Sequence, residues 1–390
     1  MKSVAFYIRN TSQFETIIAP YSVFLKQFGY QTIILHINTL TPELNKPHQL
    51  PENIYAFDIS EHTLSELSRF ISDKAVLGFV AINFHSTLDI LLNRLFYSLK
   101  IPTLYMEHGI LSEKPGQMII PPNKILSIRR QIVFFQKFFA LIWNNPEKVM
   151  NLKILYNSFL KKSFENINYT AYLLYADNSL RKLKTQLNID ERNVYFSGYP
   201  ITNNNVIKSV KTLSAPYYIY IHQPYVFHKL GTCTYSDEFE FLNRINHILQ
   251  KEGIQLVIKL HPIEEIDKYQ KALDNTISFV VSNDDLSTWI QNSIAVIGHY
   301  STVLFMAVKQ NKPIIQISPS CLLESESLKM FEDVSISVQT YDSFEALIKN
   351  EKLLFSKTRE YSHFIKDKIG NNNSHEHRVS QIIKIINNHV

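Results

Sequence analysis

Three short stretches of the sequence carry side chains suited to work on a phosphate or a sugar hydroxyl. In Lys259-Leu260-His261-Pro262 an imidazole follows an apolar run, and the proline halts the strand and fixes the backbone beside it. His261 can donate a hydrogen bond there to a phosphate or a sugar carboxylate. In Gly298-His299-Tyr300-Ser301-Thr302 two hydroxyls precede the helical run VLFMAVKQ. They can cap its N–H groups, and the same N–H groups and helix dipole favour an anion. Tyr105-Met106-Glu107-His108-Gly109 offers two proton acceptors. Glu107 suits a general base if partial burial lifts its pKa toward neutrality, and His108 suits one at its ordinary pKa. Gly109 lets the backbone approach a substrate closely. Each stretch also has a plain structural reading, as a turn or a helix cap.

The elements that must position these groups are two runs of strand and helix. The first half reads as strands over 4–8, 32–37, 77–82 and 103–106, with helices over 16–28 and 87–99 between them. Strands over 172–176 and 194–197 follow. The second half reads as strands over 217–221, 255–260, 279–281, 295–297 and 313–317, with helices over 237–250 and 302–310. Apolar strands alternating with helices indicate parallel sheets covered on both faces. The stretch 201–216, with three consecutive Asn, is the expected linker. Domains over 1–205 and 215–372 result, with a last helix (373–390) expected to pack back on the first.

Ligands of such sheets lie beyond strand ends. By that position Asn83, His85 and Gly109 become site candidates, as do His222 and Gln223 ahead of Pro224. Asp284-Asp285 reads as a helix cap, and no carboxylate pair is spaced for a divalent metal.

Composition sets outer limits. At 390 residues, 45% apolar and 19% charged, the chain is globular and long enough for two cores. A net charge of +5 with no recognisable base-stacking module argues against nucleic acid. The apolar start ends at Arg9 and Asn10, too soon for a signal peptide, and no run is long enough to span a membrane. Two cysteines, Cys233 and Cys321, fit a reduced, cytoplasmic setting better than a secreted disulfide scaffold. The stretch 121–165 is basic and aromatic, with Arg129, Arg130, Lys137, Phe138, Phe139 and Trp143. It reads either as an ordinary helical excursion or as an amphipathic helix at the inner face of the cytoplasmic membrane.

The three motifs, in this order, resemble those of bacterial sialyltransferases and polysialyltransferases of GT-B fold. That family carries an acidic D/E-D/E-G motif, then HP, then S-S/T, matched here by Glu107-His108-Gly109, His261-Pro262 and Ser301-Thr302. The resemblance implies an α/β chain of two Rossmann-like domains facing an interdomain cleft. It further implies an inverting glycosyltransferase moving sialic acid from CMP-sialic acid to a bacterial surface glycan, capsule or lipooligosaccharide, as single transfer or polymerisation. Glu107 would be the base, and His261, Ser301 and Thr302 would contact the CMP phosphate. Pro262, Tyr300, His222 and Gln223 would lie at the nucleotide, and Asn83, His85 and Gly109 would lie on the acceptor side. The acceptor would be a glycan or glycolipid, and no metal or other cofactor would be needed. The family pattern has a second acidic residue where this chain has His108. Transferases using CMP-Kdo or CDP-glycerol share similar motifs, and GT-B sugar-nucleotide epimerases are a further alternative.

Overall fold

The computed structural model describes residues 1–9, 13–37, 50–108, 136–137, 139, 151–154, 156–157, 164–200, 213, 215–227, 229, 231–261, 263–280, 286–299, 301–322, 329–370 and 374–389. They form two compact units, Met1–Pro200 with Gly370–Val390, and Ile201–Ile369.

The first unit holds strands β1 (Lys2–Tyr7), β2 (Tyr30–His36), β3 (Ile54–Asp58), β4 (Val76–Ala81), β5 (Thr103–Met106), β6 (Ala171–Leu174) and β7 (Val194–Phe196). All pair in parallel, in the order β3-β2-β1-β4-β5-β6-β7. Successive residues of a strand turn to opposite faces, so a strand covered on both sides must be apolar throughout. Val4, Phe6 and Ile8 accordingly join one core with Ile34 and Val80, while Ala5 and Tyr7 join the other with Ile33 and Phe79.

Helix α1 (Ala19–Gln27) closes the first of these cores through Tyr21 and Leu25. The C-terminal helix (His375–His389) completes it through Val379, Ile382 and Ile386. Its close approach needs a glycine beneath it, because a Cβ at Gly78 would lie 2.4 Å from Ile386 Cδ1. Helices α2 (Leu64–Asp73) and α3 (Thr87–Ser98) cover the other face with Leu67, Ile71, Leu91 and Leu95. Where a single helix is expected over 16–28, a π-helical turn (Phe14–Ile18) leads into α1. Pro20 lacks the N–H that a regular ladder would use there. Helix α4 (Asp177–Lys184) follows β6.

The second unit holds β8 (Tyr217–Ile221), β9 (Gln255–Lys259), β10 (Ser278–Phe279), β11 (Ala295–Gly298), β12 (Ile314–Ile317) and β13 (Ser335–Val338). They are again all parallel, in the order β10-β9-β8-β11-β12-β13. Helices α5 (Tyr235–Lys251), α6 (Leu304–Lys309) and α7 (Tyr341–Ile348) pack on it. Helix α5 starts before residue 237 because Thr234 and Asp237 form a capping box.

The expectation of two reduced thiols is corrected here. Cys233 and Cys321 are joined in a disulfide, their Cα atoms 4.9 Å apart. The sheet makes this possible by delivering the segment before α5 and the segment after β12 to the same edge, where Thr232 N–H donates to Cys321 O at 3.0 Å. The basic aromatic stretch lies mostly outside the described residues. Within it Lys137 donates to the carbonyl of His62, and Phe139 is exposed. Most of 201–216 and the pair Asp284-Asp285 also lie outside. Among the described residues no helix is long and apolar enough to cross a membrane.

Candidate functional site

In a parallel sheet covered on both faces, ligands lie beyond the carboxyl ends of the strands, where the strand order reverses. In the first unit that place is between β1 and β4. Arg9 follows β1, Asn83 and His85 follow β4, and Glu107-His108 follow the neighbouring β5. Arg9 is paired with the buried carboxylate of Asp89. The same carboxylate accepts the N–H of Ser86 at 2.9 Å and its hydroxyl at 2.8 Å, and so closes the capping box of α3. His85 stacks on Phe84, with ring centroids 3.9 Å apart. Burial, against the attraction of Asp89, lowers its pKa and keeps the imidazole neutral. Asn83 is half-buried.

Glu107 is buried, with 2% exposure. Its Oε2 accepts the N–H of Tyr175 at 2.7 Å and its Oε1 accepts the hydroxyl of Ser179 at 2.8 Å. Tyr175 follows β6 directly and Ser179 lies in the first turn of α4. Burial pushes the carboxyl pKa up to about 7, while these two bonds, Arg378 and Lys182 pull it back. The partly buried, substrate-facing carboxylate expected from the sequence is thus an enclosed one. The next side chain is different: His108 is exposed at one edge. The protein packed around it, and then the cation of Arg378, push its pKa down to about 4. Gly109 lies outside the described residues.

Arg378 comes from the C-terminal helix and is buried. Its Nε donates to Ser197 Oγ at 2.9 Å, and its Nη2 donates to the main-chain carbonyl of Glu107 at 3.2 Å. The guanidinium also sits 5.0 Å over the ring of Tyr175.

In the second unit the order reverses between β8 and β11. Gly298 and Lys259 flank Ile221 in register, so β9 and β11 reach the same edge about 10 Å apart, two strand spacings. His261 follows β9 and is half-buried; its Nδ1 accepts the N–H of Ile263 at 3.3 Å. In the neutral ring the proton then sits on Nε2, as a donor. Ser301 and Thr302 follow β11 and are half-buried, and Ser301 Oγ accepts the N–H of Val303 at 3.2 Å. Residues 302–303 form a turn, and α6 starts at Leu304, later than expected. Pro262 and Tyr300 lie outside the described residues.

Beneath this edge runs a buried polar network. His222 Nε2 is bonded to Glu238, and Tyr269 donates to Glu238 Oε2 at 3.1 Å. Tyr220 Oη lies 2.8 Å from His299 Nε2, and His299 Nδ1 lies 3.0 Å from Ser318 Oγ. Burial, with His222 second, pushes the His299 pKa down to about 3. His222, expected at the nucleotide, is buried instead. It continues the alternation of Tyr218 and Tyr220 toward α5, where Glu238 waits. Gln223, the next residue, is half-buried at the edge.

Past the ends of β12 and β13 a cavity of about 890 Å³ is walled by Arg244, Ser318, Cys321, Lys329 and Tyr341.

Four participants escape the sequence reading: Arg9, Asp89, Glu238 and Arg378. Arg9 could have been found, because it follows an apolar strand just as His261 does. The Ser86-x-x-Asp89 spacing is itself a capping signal. Glu238 and Arg378 have no local signal.

Solved structures similar to this chain cover nearly all of it. The spinosyn forosaminyltransferase SpnP matches with a TM-score of 0.56 at 12% identity, over 99% of this chain and 99% of that one. The wall teichoic acid polymerase TagF matches with a TM-score of 0.57 at 12% identity, over 99% and 89%. The fold is GT-B. A UDP-GlcNAc 2-epimerase from Methanocaldococcus jannaschii matches as well, with a TM-score of 0.53 at 15% identity, over 98% and 99%. Identities this low establish the GT-B fold alone, since transferases and an epimerase share it. No protein-family model and no curated protein matches the sequence.

Proposed function

We propose that the chain is an inverting, nucleotide-sugar-dependent glycosyltransferase whose donor is CMP-linked, with sialic acid as the sugar and a bacterial surface glycan as acceptor. The observation that carries the reading is the pair of strand ends in the second unit. They bring an imidazole whose proton sits on Nε2 (His261) and two hydroxyls (Ser301, Thr302) to one edge, at the reversal of strand order. Those are the donors a departing nucleotide phosphate needs.

In the proposed reaction the acceptor hydroxyl attacks the anomeric carbon as its proton passes to a base. The bond from that carbon to the CMP phosphate oxygen breaks, and the configuration inverts. His261, Ser301 and Thr302 bond the phosphate as charge develops on it. Glu107 is the base by resemblance, but its two oxygens are engaged and it is buried. The proposal therefore gives the base to His108 for its position: it reaches solvent, and burial with Arg378 leaves it neutral at pH 7, though a weaker base than an ordinary imidazole. A neutral imidazole at a strand end can take the proton without first losing one of its own. Asn83 and His85, beyond β4 in the same sheet, would line the acceptor side.

A second reading, a CDP-glycerol-type transferase, is favoured by the similarity to TagF, which has also been solved after soaking with CDPG. A third, a sugar-nucleotide epimerase, is favoured by the epimerase match.

One experiment separates them. The purified chain is incubated with CMP-sialic acid, CMP-Kdo, CDP-glycerol or UDP-GlcNAc, with and without a glycan acceptor. Acceptor-dependent release of CMP from CMP-sialic acid supports the proposal. Release of CMP from CDP-glycerol alone, or isomerisation of the sugar nucleotide without acceptor, would replace it by the second or the third reading.

A further inference from the structure

We infer that Arg378, on the C-terminal helix, is the positioning residue of the strand-end imidazole His108. The inference rests on the reading of His108 as the base, and it concerns a residue more than two hundred positions downstream, in a helix with no chemistry of its own.

The geometry is specific. Arg378 Nη2 donates to the carbonyl of Glu107, which belongs to the peptide group that joins Glu107 to His108. A planar guanidinium with two separate acceptors, that carbonyl and Ser197 Oγ, fixes the orientation of the peptide and so the exit vector of the next side chain. The grip is not adjustable from solvent, because Arg378 is buried. Helix placement is equally tight: Ile386, two turns further on, fills the space left by Gly78.

The charge has a second effect. The groups facing the guanidinium include Tyr21 from α1, Tyr105 from β5, Glu107 just past β5, Tyr175 just past β6 and His375 from its own helix. Lys182 approaches Glu107 from α4. Glu107 is the only carboxylate among them, and its own two bonds hold it toward Tyr175 and Ser179. A fixed cation beside His108 opposes a second positive charge on the ring. That keeps the ring neutral and lowers its basicity, so what the guanidinium contributes to proton transfer is position.

The test is the titration of His108 in the full-length protein. It is followed by NMR of imidazole-labelled chain, with H108N identifying its signals among the 14 histidines. The wild-type midpoint is expected well below 6.5. In R378Q it should rise but stay below 6.5, because burial, the larger cause, remains, and in R378K, which keeps the cation, it should stay low. A wild-type midpoint at or above 6.5, or a folded R378Q with an unmoved midpoint, overturns the inference. If R378Q does not fold, wild type and R378K decide, and a midpoint at or above 6.5 in either overturns it. The titration needs no substrate, so the inference passes or fails even if the chain transfers no sugar. Where transfer is measured, R378Q should lower kcat by about 10²-fold, the order expected for a displaced reacting group, with KM changed far less. The acid limb of its pH profile should move up together with the NMR midpoint.

Discussion

Glu107 Oε2 accepts the main-chain N–H of Tyr175 at 2.7 Å, which ties the end of β5 to the end of β6 through a buried carboxylate. A carboxyl in this position serves the fold before it serves any substrate. Its second oxygen holds Ser179 in the first turns of α4, and its carbonyl holds Arg378.

The carboxyl also sets a pH dependence. Burial raises its folded pKa to about 7, above the ordinary value of 4.5, so the folded chain holds this proton more tightly than the unfolded one. Stability from this group is full below 4.5, falls as pH rises through 4.5–7, and levels off above that window. By linkage the loss is of the order of a few kcal/mol. E107Q keeps an acceptor for Tyr175 and a partner for Ser179. Urea unfolding at pH 5 and pH 8 should show a smaller difference for E107Q than for wild type. An equal or larger difference in E107Q would contradict the raised pKa.

H261A should reduce kcat/KM for transfer by about 10²-fold or more, the usual cost of one leaving-group donor, with unchanged thermal stability. S301A with T302A should also lower kcat/KM, because both hydroxyls stand at the same edge. Full activity in H261A would remove the second-unit strand ends from the reaction.

H222A should act on stability, not on donor affinity. It removes one partner of the buried Glu238 and leaves Tyr269, and a buried polar group deprived of a partner costs about 1–3 kcal/mol. Equilibrium unfolding measures the first effect and the KM for donor the second. A stable H222A with a raised KM would put the ring at the nucleotide after all.

Reducing the Cys233–Cys321 bridge should destabilise the second unit by roughly 2–4 kcal/mol, the common worth of a native disulfide. It should also loosen the wall of the cavity between Ser318 and Tyr341. C233S/C321S measured against wild type, with and without reductant, provides the check. Wild type should lose stability on adding reductant, and the double variant should not respond.

Much of this architecture is written locally. The inner strands β1, β2, β4, β8 and β9 are legible because both of their faces are buried, which demands unbroken apolar runs. The outer strands β3 and β13 escape notice for the opposite reason. Ser335–Val338 lies at an edge, with one side chain of its four buried, and carries no such run. Strand ends pointed correctly to where Glu107, His261 and Ser301 would sit, but not to which of them would be enclosed. Whether Glu107 is covered depends on α4, tens of residues later, and on Arg378, 271 positions away. Nor could spacing reveal that Cys233 and Cys321 meet, since the sheet order brings them together. His222 shows the limit most plainly. The strand alternation that buries it is visible in the sequence, yet position past a strand end suggested the surface.

The return of the last helix to the first unit fixes an order of assembly. Residues 201–369 are contiguous and can complete their own sheet as they leave the ribosome. The sheet that begins the chain cannot. One of its faces is covered only in part, by α1, until Val379, Ile382 and Ile386 have been synthesised, so the part made first is the part finished last.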